Sequence, residues 1–313
     1  MKKGIIFWGL LTMSLVVSAC GNKSQKVVVE DNGNEFVPQK GDLKVTLDIG
    51  TDNIDSVENV LQCRLEKADL CPYLLERTDD AITVYARLDN DKDQPQLLRL
   101  LTANGDIEFW ATYHASDISP KLLAVQEAYA TGYAKPLIGQ TYNNMGAVAA
   151  MAHVRDTAFV NKMLRSDQAK KTLPGDLRLL WSANPITMDN GDDILELFAI
   201  RTNFREAPIN ARNITSAEAD IDEYSSQPIV NLTMDDEGAR IFATLTRENI
   251  GSAIAIVMNN TVYTAPIVNS EIIGGNCTIS SHFTIEETRF LADILNSGRL
   301  PKGIRIRSCE KAS

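Results

Sequence analysis

Between Ile229 and Leu300 the apolar and polar positions change rhythm several times, and each change marks an element. Ile229, Asn231 and Thr233 alternate with Val230, Leu232 and Met234, the period of a half-buried strand. Asp235, Asp236 and Glu237 then supply acceptors and negative charge where a helix begins. Ala239, Phe242 and Leu245, with Ile241 beside them, recur at helical spacing, and Asn249-Ile250-Gly251 ends the run. Ile254 to Met258 and Thr261 to Ile267 are β-rich stretches separated by Asn259-Asn260, a pair suited to a two-residue hairpin turn. After a turn at Glu271 to Gly275, Thr278 to Phe283 predicts a strand. Thr284 with Glu287 predicts a capping box opening a helix with Phe290, Leu291, Ile294 and Leu295 on its apolar face. Ser297-Gly298 stops it, and Ile304 to Arg307 reads as a last strand.

The earlier chain is also periodic. Leu43, Val45, Leu47 and Ile49 make a half-buried strand, and Val57, Val60, Leu61, Leu65 and Ala68 form one face of a helix capped at Asp52 or Asn53. Strands at Cys71 to Glu76 and Ala81 to Leu88 flank the turn residues Thr78-Asp79-Asp80. A helix follows Gln94-Pro95, and Ile107 to Tyr113 is a further strand. This β-α-β-β-α-β order predicts a ferredoxin-like base subdomain over residues 41–113 in an α+β protein. From 114 to 283 the pattern predicts an α+β head subdomain with a helical insertion. Helices are expected at Pro120 to Thr131 and Thr157 to Lys171, a surface excursion at Tyr133 to Ala149, and strands at Arg178 to Ser182 and Leu195 to Arg201. Ile209 to Ile214 and Ser216 to Ile221 lead into the head, and residues 284–313 are expected to return to the base as helix and strand.

The N-terminus changes the picture. Lys2-Lys3, an apolar run from Ile5 to Val17 and the string Val17-Ser18-Ala19-Cys20 predict a signal peptide over 1–19. The run is too short to span a bilayer comfortably as a retained helix. Val-Ser-Ala-Cys resembles a bacterial lipobox, which implies cleavage before Cys20 and acylation, palmitate included, at that residue. Several acyl chains hold a domain at a membrane, since each buried methylene contributes about 0.8 kcal/mol. Residues 20–40 read as a polar tether apart from Val27-Val28-Val29, and no later stretch is apolar for long enough to cross a membrane. A bacterial cell-envelope protein, lipid-anchored to the inner or outer membrane with its soluble part in the periplasm, is the expectation.

With 313 residues, 44% of them hydrophobic, the chain can bury a normal core. Its net charge is −10, and loss of Lys2 and Lys3 takes this to −12, which argues against nucleic acid as a partner. Cys63, Cys71, Cys277 and Cys309 are even in number, so an exported chain permits disulfides. Cys63 with Cys71 closes the shortest loop, and Cys277 with Cys309 is the other candidate pair. Cys63 also fits as a small core residue on a helix.

Enzyme chemistry finds little support in the sequence. His114, His153 and His282 lie far apart with no ligand-like spacing to cysteines or carboxylates, and neither a nucleophile-elbow motif nor a phosphate-cradling glycine loop is present. No catalytic residue, metal or cofactor is expected. Asp235-Asp236-Glu237 explains itself better as a helix cap than as a cation site. Arg240 and Arg247, seven apart, share one helical side with Glu237 within reach of Arg240. They read as a solvated face, with polypeptide binding as the alternative.

Three strings then carry a family resemblance: NLTMDDEGARIFATLTRENIG, AIAIVMNNTVYTAPIV and FTIEETRFLADILNSGRLP, preceded by ARNITSAEADID. In this order they resemble the first large periplasmic domain of SecD, the protein-export membrane protein. LEKADLCPYLLERTDDAITVYARL and LTANGDIEFW resemble its base more weakly. The resemblance implies a base and a mobile head that grips an emerging chain, with proton coupling in membrane helices. Those helices are expected after Arg307, where this sequence has six residues left. The function so implied is a non-enzymatic lipoprotein that binds unfolded exported polypeptides or Sec translocon components. The alternative is an envelope structural or interaction module that keeps the fold without the export role.

Overall fold

The computed structural model describes residues 26–28, 36–50, 54–78, 80–129, 136–138, 146–280 and 283–312. Cys20, the signal sequence, the Asp52 or Asn53 cap and His282 lie outside them. In chain order the first elements are β1 (Lys26–Val28), β2 (Leu43–Asp48), α1 (Ile54–Ala68), β3 (Tyr73–Arg77), β4 (Ala81–Ala86), α2 (Gln94–Thr102), β5 (Ile107–Ala111) and α3 (Ala115–Tyr129). Then come β6 (Val148–His153), α4 (Thr157–Leu164), α5 (Asp167–Thr172), β7 (Leu177–Trp181), β8 (Ile186–Thr187), β9 (Asp193–Arg201) and β10 (Ile209–Asn210). The last are β11 (Ile214–Ile221), β12 (Pro228–Met234), α6 (Asp236–Glu248), β13 (Ile254–Met258), β14 (Thr261–Thr264), β15 (Asn276–Ser280), α7 (Ile285–Asn296) and β16 (Arg305–Lys311). They divide into two units, residues 1–102 with 301–313, and residues 103–300.

The first unit is one antiparallel sheet in the order β1-β3-β4-β2-β16 with helices α1 and α2. β2 alternates strictly, with Leu43, Val45 and Leu47 buried, and α1 buries Val57, Leu61 and Leu65 as its spacing requires. Without β1 the order is the ferredoxin-like one, but its fourth strand is β16, not the expected Ile107 to Tyr113. β5 pairs instead with β10 and β13 in the second unit. The base is therefore a split ferredoxin-like domain, interrupted after α2 and completed near the C-terminus. The expected tether also departs from its reading. Lys26–Val28 pairs with β3, and Phe36 is buried with its ring 4.7 Å from the Arg87 guanidinium. Arg87 grips Asp42 through two bonds of 3.1 Å each, which fixes the entry into β2.

Among its described residues the second unit holds three sheets: β10-β5-β13-β14, β11-β12-β15, and β6-β9-β7 with β8 on β9. The insertion forms its own core, in which Ile118, Leu122 and Val125 of α3 meet Val160 and Met163 of α4 and Leu197 of β9. The long helix expected at 157–171 is two, because the Ser166 side chain caps a new start by accepting from the Ala169 amide at 3.2 Å. Of the stretch 133–149, read as surface, the described residues include buried ones. Leu137 donates its amide to Gln126 Oε1, and Ala147 and Ala149 are buried. Helix α7, expected to return to the base, belongs to the second unit and packs on β11 and β12. Its apolar face fits that sheet, and only β16 rejoins the first.

Candidate functional site

The site is built on the passage from β12 through α6 to β15. Asp235 caps α6 by accepting from the Gly238 amide at 2.6 Å, and its own amide donates to Asn213 O at 2.9 Å. Asn213 sits in a short turn in which it and Asn210 cap each other reciprocally. A Cβ on Gly238 would lie 2.8 Å from Asn213 Cβ, so this helix start tolerates only glycine without rearrangement. Phe242 then meets Phe109 of β5 edge-on, with centroids 5.8 Å apart, which joins the helix to the neighbouring sheet.

The far end of α6 braces a loop. Thr246, fully buried, donates to Phe242 O at 2.8 Å and accepts from the Ile272 amide at 3.0 Å. Gly251 donates to Val268 O at 2.8 Å, and Asn249 Nδ2 donates to Leu245 O at 2.7 Å. Arg247 reaches Glu271 at 3.4 Å, a surface pair of small energetic weight. Ile250, Ile272 and Ile273 are left exposed on this braced segment, Ile273 at 80%. The sequence reading missed this rim. The signal was the Ile272-Ile273 pair directly before Gly274-Gly275 in a predicted turn.

An exposed aromatic stands on the β11–β12 turn. Tyr224 is almost fully exposed, while the Asp222 carboxylate beneath it accepts from the Tyr224 and Ser225 amides and the Ser225 hydroxyl. Those bonds, the Ser225 amide first, hold the Asp222 carboxyl below the usual carboxylate range.

The residues named from sequence do not converge on one place. Arg240 and Arg247 are both exposed on α6, but Arg240 donates to Asp236 O at 3.3 Å while Arg247 turns to Glu271. His114 lies 3.2 Å from the Ser252 hydroxyl, and His153 Nδ1, 3.8 Å from Asp192, makes no hydrogen bond among the described residues. Cys63, Cys71, Cys277 and Cys309 are free thiols. Burial pushes the Cys277 thiol up to about 12, and burial with Asp89 and Asp93 nearby pushes Cys71 to about 11. Among the described residues, no three His, Cys, Asp or Glu side chains gather as a metal site. Nor, among those residues, is any helix long and apolar enough to cross a membrane.

Comparison with known proteins places this geometry. Residues 200–302 match the family described as SecDF, P1 head subdomain. The chain is 38% identical over 162 residues to the protein translocase subunit SecD of Rhodothermus marinus, covering 51% of this chain and 25% of that protein. It is 24% identical over 314 aligned positions to SecD of Desulfurispirillum indicum, covering 85% of this chain and 58% of the relative. The chain thus spans a quarter of the first relative and rather over half of the second. Among solved structures, SecDF in its super-membrane-facing form aligns with a TM-score of 0.51 at 22% identity, over 86% of this chain and 30% of that one. A structure titled as a membrane component SecDF that enhances protein export aligns at 0.50 and 21% identity, over 86% of this chain and all of the other. These two likenesses carry the fold, and the head match adds sequence across β11, α6, the β13–β14 hairpin and α7. Residues 200–302 are therefore similar to the SecDF P1 head subdomain, and the chain shares the fold of the two SecDF structures.

Proposed function

We propose that the protein is a non-enzymatic envelope lipoprotein, anchored in a bacterial membrane through acylated Cys20, whose SecD-type domain binds exported polypeptide or translocon components during protein export. The observation that carries this reading is the head subdomain: its family match spans the very residues that build α6, its braced loop and the open sheet beside it. The relatives are named protein translocase subunits, and one structural neighbour is titled for enhancing protein export. Exposed Ile250, Ile273 and Tyr224 on hydrogen-bonded supports offer apolar contacts that need no particular partner sequence, which suits an occupant of varied sequence.

Two experiments test the two halves. Labelled palmitate fed to cells is expected to enter the wild-type chain and not Cys20→Ser; label in both would refute the anchor. Affinity purification of the anchored chain from envelopes is expected to enrich Sec translocon components or unprocessed exported precursors. Recovery of neither, together with unchanged precursor levels in a deletion strain, would refute the export role.

A further inference from the structure

A sheet edge is a row of unpaired backbone donors and acceptors, and folded proteins blunt such edges with charges, bulges, prolines or covering segments. Several of the described edges of this protein are blunted in these ways. β16 carries Arg305, Arg307, Glu310 and Lys311 and a register break between Ile306 and Ser308. β11 has a break between Ile214 and Ser216, and the Asn296 side chain occupies the backbone of Ala217. The outer side of β6 is taken by Ile138, which exchanges both backbone bonds with Met151. The edge of β14 is met by Ser182 and Ala183, whose amide donates to Val262 O at 2.8 Å, and β10 is two residues long.

Among the described residues β15 has none of these devices. Its sequence, Asn276-Cys277-Thr278-Ile279-Ser280, has no charge and no proline, and its five pairs with β12 run without a register break. Among the described residues its only sheet neighbour is β12. On the sheet's polar face, Thr278 donates to Asn231 Oδ1 at 2.8 Å and Asn231 to Asp220 Oδ2 at 3.4 Å, a cross-strand row that ends at the open edge. The segment entering β15 carries exposed Ile273 and then Gly274 and Gly275, which place no side chain directly before the strand.

We propose that β15 is the edge onto which this head adds an extended segment of a non-native polypeptide, pairing it through main-chain hydrogen bonds as a fourth strand. The inference rests on the polypeptide-binding reading above and names the place where it occurs. Main-chain pairing is indifferent to side-chain sequence, as an occupant of varied sequence requires. Charge selects the occupant. The edge is neutral, the same face carries Glu218 and Asp220, and the whole chain is at −10, so a second copy would bring like charge while a neutral or basic segment would not.

The test uses the full chain and two kinds of probe: an unfolded exported precursor, and ten-residue Thr/Val peptides with two lysines, plain or N-methylated at alternate residues. Amide exchange across 276–280 is expected to slow at least tenfold with the plain peptide and with the precursor. The N-methylated peptide, lacking half its donors, is expected to give no protection. Thr278→Lys, which installs the guard seen on β16, is expected to weaken binding tenfold or more, while Thr215→Lys on the closed β11 edge leaves it unchanged. Binding with protection confined to other segments, or equal binding of the N-methylated peptide, overturns the edge and leaves polypeptide binding standing. Failure of every probe to bind overturns both. Concentration-dependent self-association that protects 276–280 without any probe also overturns the proposal, since the occupant would be a second copy.

Discussion

The side-chain amide of Asn296, the last residue of α7, substitutes for a missing strand beside Ala217. Its Oδ1 accepts from the Ala217 amide at 2.8 Å, and its Nδ2 donates to the Ala217 carbonyl at 2.6 Å. Ala217 is only 4% exposed, so water cannot readily replace these bonds. The pair closes one edge of the head sheet and fastens α7 to it, which leaves β15 as the side with no such clamp. Asn296→Ala is expected to cost about 2 kcal/mol of head stability, since a buried donor and acceptor are both left without partners. Urea denaturation read by circular dichroism checks the size, and faster exchange of the Ala217 amide checks the cause.

Thr246 makes a parallel prediction for the braced loop. Thr246→Val keeps the shape of the side chain but removes the acceptor for the Ile272 amide. A loss of roughly 1–3 kcal/mol is expected. Its local signature is faster exchange at Ile272. Unchanged exchange there would mean the loop is held by its other contacts, Gly251 to Val268 first among them.

Two glycines with positive φ should respond differently to alanine. Gly275, at φ +71°, has Ala239 Cβ only 2.8 Å from where a Cβ would stand, whereas Gly251, at φ +81°, faces open space. Gly251→Ala is expected to cost about 1 kcal/mol from backbone strain alone, and Gly275→Ala clearly more, because the clash is with a helix and not with a flexible side-chain end. Thermal melts of the two variants side by side give the order.

The thiols supply a pH prediction. Cys277 and Cys71 have their thiols raised to about 12 and about 11 by burial, so at pH 8 both are protonated and poor nucleophiles. Exposed Cys309 is expected to alkylate with iodoacetamide at least about tenfold faster than either. The sign for stability follows from the raised values. The protonated thiol is favoured in the folded state, so its contribution is complete below the unfolded thiol value near 9. It is lost as pH climbs from about 9 towards 12. Cys277→Ser is expected to flatten that alkaline decline, measured by urea midpoints between pH 8 and 10.5.

Local elements were largely legible in the sequence, and strand partnership was not. The Asp235 cap, the Asn259-Asn260 turn with φ of 51° and 64°, and the Thr284–Glu287 capping box all follow from neighbours in sequence, and all are present. Ile107 to Ala111 shows the limit. Its apolar run announces a strand, but nothing in it says that β10 and β13 are its partners while the base takes Arg305–Lys311 from the far side of a long insertion. The candidate site divides the same way. Arg240 and Arg247 were visible as helix positions, whereas the Ile250, Ile272 and Ile273 rim and the open β15 edge exist only after the loop folds back on Thr246.

The central claim is that this SecD-type domain binds non-native exported polypeptide, and titration of the full chain with a fluorescently labelled, unfolded exported precursor tests it most directly. Saturable binding is expected with a Kd of roughly 10–50 µM, about −6 to −7 kcal/mol, and none to the same precursor once folded. Absence of saturable binding at these concentrations, or equal binding to the folded form, would contradict that claim.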